Sequence, residues 1–198
     1  MAGHGHAPHE QAEHAEHHGA SNKQIALLIS VLALLLAISE TLGKAAQTTT
    51  LSQNIEASNL WAFFQGKTVR RTVVQSHARE LEIMLPSFSD PKQREAAETM
   101  VKRWKEEAAR YDTEPETNEG RKELAARAKK AEKKRDDAAA AHHHYEVASA
   151  ALQIAIVLAS ATIITGIAML TWFSAGLGIV GVAFTGIGLF APHAIHLF

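Results

Sequence analysis

From Arg121 to Trp172 the chain contains no proline and a single glycine, Gly166, and its character changes midway. Arg121 to Asp137 is dense in Lys, Arg and Glu, whereas Val147 to Trp172 carries no charge. A run of this kind predicts one helix that leaves water and enters a bilayer, about 78 Å long at about 1.5 Å per residue. A chain holding such an element is constrained to be an integral membrane protein with a helical part in water. The fold class expected is therefore an all-α membrane protein with three transmembrane helices and a long cytoplasmic coiled-coil hairpin between the first and second.

Average composition hides this segregation. The 198 residues sum to a net charge of −1, with no cysteine and twelve histidines. Apolar residues gather in Ile25–Leu42 and Val147–Phe190, while most charges lie between Lys44 and Glu146. A near-neutral total argues against a nucleic-acid partner. Without cysteine there is no disulfide framework to indicate the compartment.

Residues 1–23 hold six histidines (His4, His6, His9, His14, His17 and His18) among Gly, Ala and Glu. The segment has too little apolar mass to offset its ordering entropy and is expected to be a disordered tail. It lacks the cationic start and cleavage site of a signal peptide. The first span is expected at 24–43, where Ile25 to Leu42 gives about 27 Å of apolar helix. Glu40 falls in its last turn, at headgroup level.

The aqueous arm is expected over 44–146, in three helices at 44–85, 91–112 and 119–146. In the first, Leu60, Phe63, Val74, Leu81 and Met84 fit a heptad seam, which Lys67, Arg70 and His77 interrupt. Those cations require acidic or solvent partners. Pro86 and Pro91 mark a turn, with Asp90 as N-cap, Pro91 at the first helical position and Gln93 three residues after the cap. The second helix carries Ala97, Val101, Trp104, Ala108 and Tyr111 at coiled-coil spacing. The third presents a narrow seam of Leu124, Ala128, Ala131 and Ala138. Because the chain must return to the bilayer at Val147, the outgoing helix is expected to face a return limb in two pieces.

Two spans close the chain, at 147–172 and 175–192, before a short tail at 193–198. In the last, Ser174, Gly178, Gly181, Thr185 and Gly188 recur at four, three, four and three. Small residues on one stripe let membrane helices approach where lipid supplies no hydrophobic drive, so Gly178, Gly181, Thr185 and Gly188 are expected to be packing positions. Lys and Arg crowd the aqueous side of the second span, which places the arm and the C-terminus in the cytoplasm and the histidine tail outside. Three crossings then bring His142, His143 and His144 to the face that holds His193 and His196. Converging imidazoles can ligate a transition metal or titrate near neutrality. Successive helical residues point about 100° apart, however, so at most two of the three adjacent histidines face one centre.

One segment, Ala57-Ser58-Asn59-Leu60-Trp61-Ala62-Phe63-Phe64-Gln65-Gly66-Lys67, resembles the signature of bacterial membrane proteins grouped as domain of unknown function 4337. The matching positions are Ser58, Trp61, Ala62, Gln65 and Lys67; Phe63 and Phe64 replace tyrosines, and Gly66 replaces alanine. The resemblance implies a His/Glu-rich tail, one span, a coiled coil and a C-terminal pair of spans in a bacterial inner membrane. It implies no activity, substrate or cofactor. Trp61 lies roughly 28 Å beyond Leu42 along a straight helix, too far for an interfacial aromatic belt. Trp61 and Phe64 are expected to pack on alanines near Ala128, with Gln65 and Lys67 turned towards a neighbour.

No nucleophile–base arrangement, phosphate-cradling glycine loop or metal-hydrolase spacing is present in the sequence, so a non-enzymatic protein without a small-molecule substrate is expected. The leading expectation is a homo-oligomeric scaffold in the lipid bilayer. A channel lined by Thr162, Thr165 and Thr185 with Glu40 at its mouth is one alternative. A metal- or pH-responsive sensor built on the histidines is another.

Overall fold

The computed structural model describes the backbone of residues 8–195 and the side chains from residue 22 to residue 195. Four helices follow in order: α1 (Pro8–Met84), α2 (Pro91–Asp112), α3 (Arg121–Thr165) and α4 (Met169–Phe190), with a single 3-10 turn at Leu85–Ser87. Among the described residues there is no strand. Three of the helices are long and apolar enough to cross a membrane: α1, α3 and α4. At 22 residues, α4 reaches about 33 Å, close to the thickness of bilayer hydrocarbon.

α1 starts well before the first span and takes in residues 8–23, most of the stretch expected to be a disordered tail. Alanines and glutamates, good helix formers, are interspersed among the histidines there, and Pro8 stands at a first helical position, where its missing N–H costs nothing. No proline follows until Pro86, at the 3-10 turn. α2 begins as the sequence dictates, with Asp90 Oδ1 accepting a hydrogen bond from the Lys92 amide at 2.9 Å and Pro91 at the first position.

The expected second span, 147–172, is corrected. α3 stops at Thr165, and α4 is already under way at Met169. Gly166 takes a φ of +70°, a left-handed conformation that glycine adopts without steric penalty. Its N–H still donates to Thr162 O at 2.9 Å, while the Ile167 N–H donates to Thr165 Oγ1 at 3.4 Å. The lone glycine of the long apolar run is thus the corner between two helices long and apolar enough to cross a membrane. Phe173 and Ser174, which fall between the two expected spans, lie inside α4.

The chain divides into two compact units, one comprising Met1–Thr48 and Asp137–Phe198 and the other Thr49–Asp136. In the first unit, Leu32, Leu152 and Ala155 are buried together, with Leu28, Leu35, Leu36, Ile156 and Leu177 packed around them. The small residues of α4 sit against large ones of the other helices. A Cβ on Gly178 would meet Leu32 at 2.7 Å, and one on Gly181 would meet Leu152 at 2.6 Å and the Ala148 carbonyl at 3.2 Å. At Gly188 it would meet the Tyr145 ring at 2.9 Å. The spans' large exposed residues, such as Leu27, Leu34, Ile164, Trp172 and Ile179, suit contact with lipid tails.

In the second unit the residues after α1 meet it in reverse order. Glu82 pairs with Lys105, Lys67 with Glu114, Trp61 with Glu132 and Asn54 with Arg135. The return is in two pieces, α2 and the start of α3, separated by residues 113–120.

A Gly181→Val substitution is expected to destabilise the first unit by about 1–3 kcal/mol, through overpacking against Leu152. Gly186→Val should be nearly neutral, because nothing lies within 4 Å of a Cβ there. Thermal melting in detergent, followed by helical circular dichroism, compares the two.

Candidate functional site

The signature segment builds an interior. Ala57, Leu60, Leu124, Ala128 and Ala131 form a buried cluster, with Trp61 and Phe64 packed against it. Alanine at 124+4 and 124+7 leaves room for the Trp61 and Phe64 rings, whose centroids stand 5.4 Å apart, edge to face. Trp61 Nε1 donates to Glu132 Oε1 at 2.8 Å. The Arg121 guanidinium covers the Phe64 ring at 4.9 Å, while its Nε donates to Thr68 Oγ1 at 2.9 Å and Nη1 to Asp112 at 2.8 Å.

Lys67 lies inside the chain instead of facing a neighbour. It is 7% exposed, and its Nζ donates to Glu114 Oε2 at 3.2 Å. The same ammonium stands 5.6 Å from the centroids of the Phe63 and Tyr111 rings. A buried ammonium requires such a set, an opposing carboxylate and aromatic faces, to offset lost hydration. The acidic partner demanded by a lysine on the heptad seam is therefore Glu114, from the segment between α2 and α3. The Lys67 hydrogen bond holds the Glu114 carboxyl below the usual carboxylate range. The Glu107 carboxylate, accepting from Tyr111 Oη at 3.0 Å, pushes that phenol up. Gln65, by contrast, is exposed.

The first unit carries a polar layer that sequence reasoning missed. Ser39, fully buried, donates to the Tyr145 carbonyl at 3.3 Å. Ser149 Oγ donates to Ser39 Oγ at 3.2 Å, and Thr185 Oγ1 lies 3.5 Å from it, so α1, α3 and α4 all meet on one hydroxyl. Below it Gln153 donates to Glu40 at 3.3 Å. The available signal was only a serine in an apolar run, which is common in spans.

The histidines do not converge on one centre, although His142 and His143 both reach Glu146, at 3.4 Å and 3.3 Å. His142 Nδ1 donates to Gly43 O at 3.1 Å, and His144 Nε2 donates to Pro192 O at 2.9 Å. His143 lies 3.3 Å from Glu146, and His193 lies 2.7 Å from Asp137. His196 falls outside the described residues. Among the described residues no three His, Cys, Asp or Glu side chains are grouped to hold a metal ion. His144 is 1% exposed, and its Nδ1 is buried without a hydrogen-bond partner. Its ring stacks on Phe184 at 6.0 Å, so it acts as a packed wedge that ties α3 to the end of α4.

The second unit also has a groove of 680 Å³ lined by Arg71, Gln75, Arg79, Lys105 and Asp112. Its charges are largely matched within the chain: Lys105 pairs with Glu82 at 2.6 Å and Asp112 with Arg121 at 2.8 Å.

The family model described as "Domain of unknown function (DUF4337)" matches residues 21–191, and the chain belongs to that family. No curated protein and no solved structure matches it.

Trp61→Phe keeps the ring but removes the donor to Glu132 and is expected to cost about 1 kcal/mol, whereas Trp61→Ala costs roughly 3 kcal/mol through the cavity it leaves. Chemical denaturation distinguishes the two. The Glu114 pairing also predicts a pH dependence. Folding lowers this pKa, so its stabilisation is fully present above the ordinary carboxylate range and is lost as pH falls through the depressed value. The melting difference between wild type and Glu114→Gln should therefore shrink on acidification.

Proposed function

We propose that this protein is a non-enzymatic scaffold that self-associates in a bacterial inner membrane, with its second unit as a helical hairpin in the cytoplasm. The observation that carries the reading is how the polar side chains of both units are used. Lys67 meets Glu114, Trp61 meets Glu132, Ser39 meets Ser149, and His144 meets a main-chain carbonyl. These groups tie helices together and form no converging reactive set. The lysine-rich start of α3 sits on the aqueous side of the span and favours a cytoplasmic location.

The glycine stripe of α4 contributes within one chain, because Leu32, Leu152 and Tyr145 already occupy it. Association between copies therefore rests on other surfaces. The threonines that would line a pore donate to their own helix: Thr162 to Leu158 O at 3.1 Å, Thr165 to Ala161 O at 2.8 Å and Thr185 to Gly181 O at 2.8 Å. That use favours a scaffold over a channel.

Titration of native membranes with a lysine-reactive crosslinker is expected to give a ladder ending at a defined oligomer. Monomer alone at every dose would contradict the proposal.

A further inference from the structure

α1 within the second unit has two unlike faces. One is covered: Ala57, Leu60, Lys67 and Ala78 are buried against α2, α3 and the segment joining them. The opposite face follows Ile55, Ala62 and Val69 at intervals of seven, flanked by Leu51 and Ser58 on one side and Gly66 and Val73 on the other. All seven are exposed. The four larger ones are strongly so, at 60% for Leu51, 62% for Ile55, 63% for Val69 and 48% for Val73. Nothing lies within 4 Å of a Cβ on Gly66. Single exposed apolar residues are ordinary, but a stripe at heptad spacing is the pattern of a helix that pairs.

Charge makes the stripe more unusual. Between Leu51 and Val73 the only charged residues are Glu56, Lys67, Arg70 and Arg71; none of them falls on the stripe, and Lys67 is buried. A helix surface in water normally carries many charges. The exposed face of α3 in the same unit does so, with Lys129, Lys130, Lys133 and Lys134.

We propose that the Leu51–Val73 face of α1 is the surface on which a second copy of this chain docks, parallel and in register; the inference rests on the scaffold reading above. The charge distribution selects this occupant. A symmetric pair places each residue near its own counterpart, so a lysine-rich face repels itself while an uncharged one does not. Copies inserted the same way in one bilayer run α1 in the same direction, which brings Ile55 to Ile55, Ala62 to Ala62 and Val69 to Val69. Ser58, Ala62 and Gly66 form a narrow waist that permits close approach, and Leu51, Ile55, Val69 and Val73 fill the seam at its ends.

The size of the contact fits a membrane-held pair. A seam about 33 Å long and one helix wide buries on the order of 700 Å² in total, less than the roughly 1,200 Å² of a stable complex free in solution. Confinement of both copies to one bilayer raises their effective concentration and supplies the difference.

The chain has no cysteine, so single replacements report cleanly. In native membranes under mild oxidation, Ala62→Cys and Val69→Cys are expected to form disulfide-linked dimers, and Lys130→Cys is expected to remain monomeric. Leu51→Cys and Val73→Cys should each link to itself. Linkage only in a mixture of those two variants would overturn the parallel register. Linkage of Ala62→Cys to a different protein would overturn the second copy as occupant, and equal linkage at Lys130→Cys would overturn the choice of face. A monomeric Ala62→Cys protein that still gives oligomers with the lysine-reactive reagent would overturn this surface and leave the scaffold reading standing. Monomer in both assays would remove both.

Discussion

Close approach of helix backbones is the constraint on which the first unit depends, and it suits helices long and apolar enough to cross a membrane. Lipid gives apolar side chains no reason to prefer one another, so association needs tight packing and satisfied polar groups. Gly178, Gly181 and Gly188 supply the packing, each with a large side chain of another helix where its own Cβ would be. Ser39, Ser149 and Ser174 supply the hydrogen bonds; Ser174 donates to the Ala155 carbonyl at 2.7 Å. One mechanism is steric and the other polar, and both act on the same three helices.

The second unit solves a different problem. Between its charge-rich helices burial of apolar area is the main drive, yet its alanine seam is too small to bury much. Trp61 and Phe64 make up the shortfall by filling the space the alanines leave. Lys67 and Arg121 then extend this core, each setting its charged end over an aromatic ring while it pairs with Glu114 or Asp112. Glu114 joins the inserted ammonium from the segment that breaks the return limb, so the break serves the packing.

Much of this was legible in the sequence because it follows from periodicity. The heptad positions of α2, the narrow seam of Leu124, Ala128 and Ala131, and the small-residue stripe of α4 are spacing patterns, and spacing survives folding. The role of Gly166 was not legible. One glycine within 26 uncharged, mostly apolar residues reads as a tolerated flaw, and only its positive φ reveals a corner. Lys67 was half legible: its place on the seam demanded an acidic partner, but Glu114 lies 47 residues away in a loop. The histidines misled by proximity in sequence. Adjacent helical residues diverge: His142 and His143 share Glu146, while His144 turns to the Pro192 carbonyl.

The function proposed above requires α1, α3 and α4 to cross the bilayer, so that Thr48 and Lys134 lie on one side of it and the corner at Gly166 on the other. Single cysteines at Thr48, Lys134 and Ile167, labelled in sealed vesicles with a membrane-impermeant maleimide, test it directly. The account predicts that Thr48→Cys and Lys134→Cys react in the same vesicle orientation and Ile167→Cys only in the opposite one. Reaction of Thr48→Cys and Lys134→Cys from opposite sides would contradict it.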